Sequence, residues 1–454
     1  MFEKGFDTIA AVATPPVPSA IGILRISGGQ SLTILRHVFR PVKGRGFPPR
    51  RMRFGGIYTR EGLRIDEGLA VFMPGPASYT GEDTAEIYCH GSPGVMAALL
   101  DTLFAAGARQ AEPGEFTRRA FLNGRIDLSQ SEAVIDLIES ETKAAAANAA
   151  AQLEGVLGRQ LTAVRDELIL IASQLAAMID FPDEEVPELE QSALLSRLEA
   201  ACEALERLHK SYERGAVLKN GVPCAITGKP NVGKSSLLNA FAGFERAIVT
   251  EIPGTTRDVL EHTVIAGGVK LSFFDTAGIR ETEDTVEKIG VMRAADAVRT
   301  AAAVLAVFDV SRPLTPEDEL VMERTKGRET WCVLNKSDLP VRADEAYLRT
   351  RFSRVFPVSA ATGEGIDILL TALASHFTAS QESGGSFITN PRQANALERA
   401  VAALRRAMMA SRELTADVVC TDVEEAASVI GEITGQTASE DIIDQIFARF
   451  CVGK

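Results

Sequence analysis

No Cys-x-x-Cys pair occurs in this chain, although it contains six cysteines. Their scatter argues against a zinc site or a disulfide framework and suits a reducing compartment. An excess of basic residues is also missing: 61 acidic side chains against 48 basic ones give a formal net charge of −13. The average surface therefore excludes nucleic acid, and only a local basic patch can meet it. No apolar run reaches the roughly 18 residues of a membrane span, and the N-terminus lacks the basic-then-apolar pattern of a signal peptide. The expectation is a cytoplasmic protein without a membrane partner. What remains is an ordinary composition, 46% hydrophobic and 24% charged, over 454 residues. That length exceeds one core and predicts about three domains.

The texture changes twice along the chain. Up to about residue 125 it reads as α/β. Ile21–Ile26 and Leu69–Met73 are short apolar strand candidates separated by Gly and Pro, and 93–107 reads as a helix. Ser129-Gln130-Ser131-Glu132 then has the form of a capping box, and the Ala-rich stretch 133–180 carries helical apolar spacing. Phe181-Pro182-Asp183-Glu184-Glu185 breaks it, and a second helical segment fills 190–214. From Val222 strands alternate with helices: strands are expected near 269–275, 303–309 and 330–335, the pattern of a parallel-sheet domain. Gln381–Ser386 has linker composition, and helices resume to the end. The simplest architecture inserts one α/β domain between two halves of a helical domain.

Gly228-Lys229-Pro230-Asn231-Val232-Gly233-Lys234-Ser235 has the spacing of a phosphate-binding loop between a strand and a helix. Glycines let backbone N–H groups approach phosphate oxygens, Lys234 reaches the terminal phosphates, and the Ser235 hydroxyl suits magnesium. Asp275-Thr276-Ala277-Gly278, Asn335-Lys336-Ser337-Asp338 and Ser359-Ala360 follow in order. Asp338 suits the guanine ring, which separates GTP from ATP. Together these pieces spell a guanine-nucleotide domain of Ras-like type. One piece is absent: Ile279 follows Asp-Thr-Ala-Gly, where a Ras-like enzyme has the Gln that orients the attacking water. Thr255-Thr256-Arg257-Asp258 follows Pro253-Gly254. It is either a turn with a helix cap or the loop that offers Thr256 as a second magnesium ligand. Asn231 either ties the loop together or binds a monovalent cation that neutralises developing charge as an arginine finger does.

With these residues in place, the chain resembles the MnmE (TrmE) family of tRNA-modification GTPases from end to end. The distinctive segments lie outside the nucleotide motifs: Gly22–Gly28, Pro74-Gly75-Pro76, Thr80-Gly81-Glu82-Asp83, Pro113-Gly114-Glu115-Phe116-Thr117, Arg119-Ala120-Phe121-Leu122-Asn123-Gly124, Asp180–Glu185 and the terminal Phe450-Cys451-Val452-Gly453-Lys454. The resemblance implies a multidomain α/β plus α protein. Residues 1–125 form a tetrahydrofolate-binding-like α/β domain that makes a homodimer. Residues 126–215 and 379–454 form a discontinuous helical bundle, and 216–378 form the inserted Ras-like P-loop GTPase domain.

The resemblance also implies cofactors and roles. GTP would meet Asn231, Val232, Gly233, Lys234, Ser235, Ser236, Thr250, Glu251, Ile252, Pro253, Gly254, Thr255, Thr256, Asp275, Thr276, Ala277, Gly278, Asn335, Lys336, Asp338, Ser359 and Ala360. Magnesium falls on Ser235 and Thr256, and potassium on Asn231, Thr250, Ile252 and Thr255. Glu287 replaces the absent Gln and acts on water through a second water. By sequence alone it would be an exposed helix residue. Folate, as 5,10-methylenetetrahydrofolate or 5-formyltetrahydrofolate, falls on Arg25, Glu86, Arg125 and Lys454. Position 125 departs from the lysine of the best-known member, which keeps charge but not geometry. Taken alone, Arg25 in an apolar strand reads as an edge residue reaching for water. The partner implied is the FAD-dependent MnmG, in a heterotetramer that modifies the wobble uridine of certain tRNAs.

The resemblance implies that Cys451 serves the modification. A prenylation box is disfavoured by Gly453, and terminal residues fray unless something ties them down. Arg36, Arg40, Lys43, Arg45, Arg50, Arg51, Arg53 and Arg60 lie in a stretch without an acidic residue. It is either a tRNA phosphate contact or a solvated loop. Two rivals share parts of the pattern. A ribosome-assembly GTPase would append an RNA-binding module with a Gly-x-x-Gly clamp, which does not follow the nucleotide domain here. A folate-dependent methyltransferase would need neither GTP nor a flavoprotein.

Overall fold

A computed structural model describes residues 7–180, 190–243, 261–275, 301–378, 387–413 and 415–454. The chain divides into two compact units. One comprises Met1–Ile138, Ala149–Arg207 and Asn395–Lys454, and the other Glu139–Asn148 and Leu208–Ala394.

The first unit opens with a sheet. Its strands are β1 (Ile9–Val12), β2 (Ser19–Ser27), β3 (Phe39–Pro41), β4 (Arg53–Tyr58), β5 (Arg64–Met73), β6 (Thr84–Gly91) and β7 (Arg109–Gln110), in the spatial order β3-β4-β5-β6-β2-β1-β7. Helices α1 (Ser31–Val38) and α2 (Pro93–Ala105) cover one face. The two-residue period of β2 decides what lies there: Leu24 and Ile26 point into a core with Ile34, Leu35, Met96 and Leu99. Arg25 takes the opposite face. There Ile9, Ala11 and Phe116 of α3 (Glu115–Leu122) form a smaller core.

The helical part of this unit holds α4 (Leu128–Ile138), part of α5 (Lys143–Leu153), α6 (Val156–Asp180) and part of α7 (Gln191–Asn220). The stretch expected to be helical over 133–180 is helical as three segments, and Gly155, at φ 77°, turns the chain between α5 and α6. The capping box also lies two residues earlier than expected. Asp127 accepts from Gln130 N at 2.8 Å while Gln130 Oε1 accepts from Asp127 N at 2.9 Å. That reciprocal pair starts α4, and Ser129 and Ser131 are buried inside the helix.

The second unit carries β8 (Val222–Thr227), α8 (Lys234–Ala242), β9 (Glu261–Ala266), β10 (Val269–Asp275), β11 (Ala303–Asp309), α9 (Pro316–Arg324), β12 (Thr330–Asn335), α10 (Glu345–Arg351), β13 (Val355–Pro357) and α11 (Ile366–Thr378). The sheet order is β13-β12-β11-β8-β10-β9. All neighbours are parallel except β9, which returns antiparallel on β10. Strand β11 is buried along its whole length, as a strand covered on both faces requires. Leu305 and Val307 pack with Phe241 and Leu369, while Ala306 and Phe308 pack with Val321 and Leu348.

The chain closes with α12 (Pro391–Glu413), α13 (Ala416–Thr434) and α14 (Glu440–Phe447). Within the first unit α13 lies along α6, and the Cys420 thiol reaches the Ala172 carbonyl at 3.6 Å. Helices far apart in sequence therefore share one core.

Candidate nucleotide site

Strand β8 ends at Thr227 and α8 begins at Lys234, so the glycine-rich loop joins a central strand to a helix N-terminus. Two glycines are required by space. A Cβ on Gly228 would stand 2.5 Å from the Val307 carbonyl oxygen. Gly233 has φ 98°, and a Cβ there would stand 2.3 Å from Asn335 Nδ2. Asn231 takes a left-handed φ of 62°, a conformation that asparagine tolerates better than most residues. The first-turn N–H groups of α8 face the loop, and with the helix dipole they favour an anion. Lys234 is buried, and its ammonium donates to the Gly228 and Lys229 carbonyls at 2.8 and 2.9 Å.

The guanine motif is bolted to this loop. The buried Asn335 amide donates to Val232 O at 2.8 Å, and its oxygen accepts from Ala360 N at 3.1 Å. Lys336 donates to Asn231 O at 3.2 Å and to Asp309 Oδ2 at 2.5 Å. Asp338 accepts from Ser359 Oγ at 2.6 Å. A cavity of about 510 Å³ opens where these elements meet, lined among others by Gly233, Ser236, Asn335, Lys336, Asp338 and Ala360. It can hold a planar base against Asp338 with a phosphate chain toward α8. Ser235 and Ser236 are exposed in the first turn of that helix, and a hydroxyl oxygen there is the hard donor that magnesium takes.

Thr250, Glu251, Ile252, Pro253, Gly254, Thr255, Thr256, Thr276, Ala277, Gly278 and Glu287 lie outside the described residues. Asp275 closes β10 in register with Ile226. Sequence reasoning missed two supports of the loop. Lys229 pairs with the buried Asp318 at 2.5 Å, and Asp318 also receives Thr315 N in the capping box of α9. Asp309 is the other. Burial pushes its carboxyl up, but bonds from Lys336 and Ser311 outweigh that and hold it below the ordinary range. A Thr-x-x-Asp pattern gave a signal for the first, and an acid at a strand end only a faint one for the second.

In the first unit, β2 and β6 set Arg25 opposite Glu86, and the side chains pair at 2.9 Å. Arg25 is thus an interior residue of the sheet, mostly buried, with its guanidinium near the Tyr79 and Phe116 rings. It is not the edge residue its sequence context suggests. Glu86 also accepts from Tyr88, whose hydroxyl is pushed up to about 12 by burial and by that bond. The terminal Lys454 joins the pair: burial lowers its ammonium, Arg25 lowers it further, and Glu86 partly offsets both. Two cations, a carboxylate and aromatic faces form a donor set that fits a carboxylate-bearing heteroaromatic such as a folate. Arg125 sits on the surface with its stem beside Gly81.

The tail is tied down rather than frayed. Val452 bridges to Pro113, and Gly453, at φ 99°, passes so near Val12 that a Cβ would stand 2.2 Å from its carbonyl oxygen. Cys451 stays exposed. Gly114 N reaches the Cys451 carbonyl at 3.4 Å, and several signature segments of the first unit meet one another. Arg119 ties together Glu115, Glu82 and Asp7, Ser27 donates to Glu82, and Asn123 donates to Thr80 O. The basic stretch is partly occupied: Arg40 stacks on Tyr58 and Arg50 donates to Ala77 O.

Comparisons with known proteins follow the same lines. The model of the MnmE helical domain matches residues 128–451, and that of the GTP-binding protein TrmE N-terminus matches 8–125. The tRNA modification GTPase MnmE of Roseiflexus sp. (strain RS-1) is 44% identical over 461 residues, spanning 99% of this chain and 99% of the relative. That of Chloroflexus aurantiacus is 45% identical over 454 residues, spanning 99% and 100%. Among solved structures, Aquifex aeolicus Era bound to GDP and aluminium fluoride is 27% identical over 41% of this chain and 65% of Era, with a TM-score of 0.28. The chain belongs to the MnmE family of tRNA modification GTPases.

Proposed function

We propose that the chain is a potassium-stimulated GTP hydrolase working with an FAD-dependent MnmG partner. Together they add an aminomethyl or carboxymethylaminomethyl group to carbon 5 of the wobble uridine in certain tRNAs. GTP hydrolysis is the activity named for the family. The observation that carries the reading is the cavity in which Gly233, Asn335 and Asp338 meet beside a helix N-terminus. There Asp338 accepts from the ring N–H and the exocyclic amine of guanine, a pair of donors adenine does not offer in that arrangement. Lys234 and the N–H groups of α8 hold the phosphates.

In this reading Ser235 and Thr256 would hold magnesium. Asn231, Thr250, Ile252 and Thr255 would hold potassium, which supplies positive charge where an arginine finger supplies it elsewhere. Glu287 positions the attacking water through a second water, in place of the Gln absent at Ile279. Arg25, Glu86, Arg125 and Lys454 bind a folate that supplies the one-carbon unit, and Cys451 serves the transfer. The proposed domains are 1–125, 126–215 with 379–454, and 216–378, in a cytoplasmic homodimer joined through the first. Exposed Val42, Phe54 and Leu69 around the β3–β5 side offer apolar surface for that contact.

GTP turnover should rise several-fold when potassium replaces sodium, and equal rates would remove the cation from the mechanism. Glu287→Ala should bind GTP normally and hydrolyse it about a hundredfold more slowly. Wild-type turnover would remove Glu287. Mass spectrometry of wobble nucleosides from a deletion strain tests the modification, and an unchanged profile would refute it.

A further inference from the structure

We infer that Asp309 is a positioning residue for nucleotide binding: its carboxylate fixes the Lys336 ammonium against the Asn231 carbonyl of the phosphate loop. The inference rests on the guanine-nucleotide reading above.

Register brings the parts together. Asp309 ends β11 directly beside Asn335 at the end of β12, so the next residue, Lys336, starts its loop next to the carboxylate. The Asp309 side chain is 2% exposed and both its oxygens are engaged. Oδ2 receives Lys336 Nζ at 2.5 Å, and Oδ1 receives Ser311 N at 2.9 Å and Ser311 Oγ at 2.6 Å. A carboxylate held at both oxygens cannot swing, so it gives the lysine a fixed anchor. Arg312 stands 3.9 Å from Oδ2 on an exposed side chain, too far for a hydrogen bond.

Lys336 needs such an anchor. Its backbone turns through a left-handed φ of 67°, and the residue lines the cavity. An unanchored lysine gives up much rotamer freedom on being fixed, and here that ordering is done before the ligand arrives. The same ammonium touches Asn231 O at 3.2 Å. One buried acid thereby links the base side of the cavity to the loop residue proposed to hold potassium. Preorganisation of this kind strengthens binding and leaves the reacting phosphate untouched.

The test uses the full chain, with GTP turnover and binding of a fluorescent GDP. Asp309→Asn keeps the shape and the Ser311 bonds but loses the charge. It should raise the KM for GTP and the Kd for GDP about tenfold, a change of one charge-assisted bond, with kcat within about twofold. Lys336→Ala should do the same, and the double variant should be no worse than Lys336→Ala alone. A change below about twofold for Asp309→Asn, a fall in kcat instead of a rise in KM, or multiplicative effects in the double variant would each overturn the inference. Should Asp309→Asn not fold, Ser311→Ala carries the test by removing the hydroxyl bond to Oδ1 and leaving only the backbone N–H to hold that oxygen: a KM raised about threefold supports the inference, and an unchanged KM overturns it. Parent protein that binds no GDP would overturn the inference and the nucleotide reading together.

Discussion

Asp338 carries the choice of base in the proposed site, and its surroundings suit the task. Ser359 holds one carboxylate oxygen at 2.6 Å, which fixes the plane that meets the guanine edge. Two charge-assisted hydrogen bonds at roughly 1.5–3 kcal/mol each are at stake. Asp338→Asn should therefore weaken GTP by at least about a hundredfold. It should strengthen xanthosine triphosphate, because the asparagine amide can donate to the xanthine 2-oxo group. Competition of both nucleotides against fluorescent GDP measures the shift, and an unchanged preference would remove Asp338 from base reading. Asp338, Asn335, Gly228 and Gly233 could all be found from spacing, because backbone geometry at a strand-to-helix turn dictates residue type locally. Asp309 left only a faint signal, and the Thr-x-x-Asp pattern that marks Asp318 does not reveal its pairing with Lys229. Their partners are 27 and 89 residues away, and only the strand order makes them neighbours. Lys454 shows the same limit, since the terminal residues carry no local signal that Pro113 and Val12 will hold them.

At the scale of elements, strands were easier to find than helix ends. The runs 269–275, 303–309 and 330–335 match β10, β11 and β12: β11 and β12 are the nearly continuous apolar runs of buried parallel strands, while β10 alternates Leu271 and Phe273 with Lys270 and Ser272. Strand β9 was missed: it begins with Glu261 and His262 and finds its place only by pairing with β10. The amino-terminal motifs were visible as motifs, but their joint purpose was not. The structure makes them one ionic knot in which Arg119, 9% exposed, binds Glu115, Glu82 and Asp7. Burial raises the Glu115 carboxyl, yet Arg109, Glu112 N and Arg119 together hold it below its ordinary 4.5. A carboxylate lowered in the folded state stabilises fully above its unfolded value, and that stability is lost as pH falls through the folded value. Arg119→Met should cost about 3 kcal/mol by leaving the buried Glu115 short of a partner. It should also flatten the loss of melting temperature below about pH 4.5, the ordinary carboxylate value. Thermal melts between pH 3 and 8 check both, and an acid limb as steep as the parent's would show that the knot does not set it.

At the scale of the molecule, the two proposed ligand sites fall in different units. Arg25, Glu86 and Lys454 belong to the first, while Gly233, Asn335 and Asp338 belong to the second. Each unit has its own core: Leu24, Ile34 and Leu99 in one, Phe241, Leu305 and Val307 in the other. Separate cores permit separate unfolding, and a multidomain chain has no reason to behave as two-state. A ligand stabilises only the unit whose native state binds it, by about 2.7 kcal/mol at a hundred times its Kd. For units of this size that is roughly 5–10 °C. Calorimetry of the whole chain should therefore show two transitions, GDP raising one and 5-formyltetrahydrofolate the other. If either ligand moved both transitions equally, the units would be a single cooperative block. Independent shifts would instead mean that nucleotide state reaches the folate site only through a specific change of conformation, because shared stability could not carry the message. A coupling of that kind must be reciprocal: whatever factor GTP imposes on folate affinity, folate must impose on GTP, and titrating each ligand in the presence of the other measures it twice.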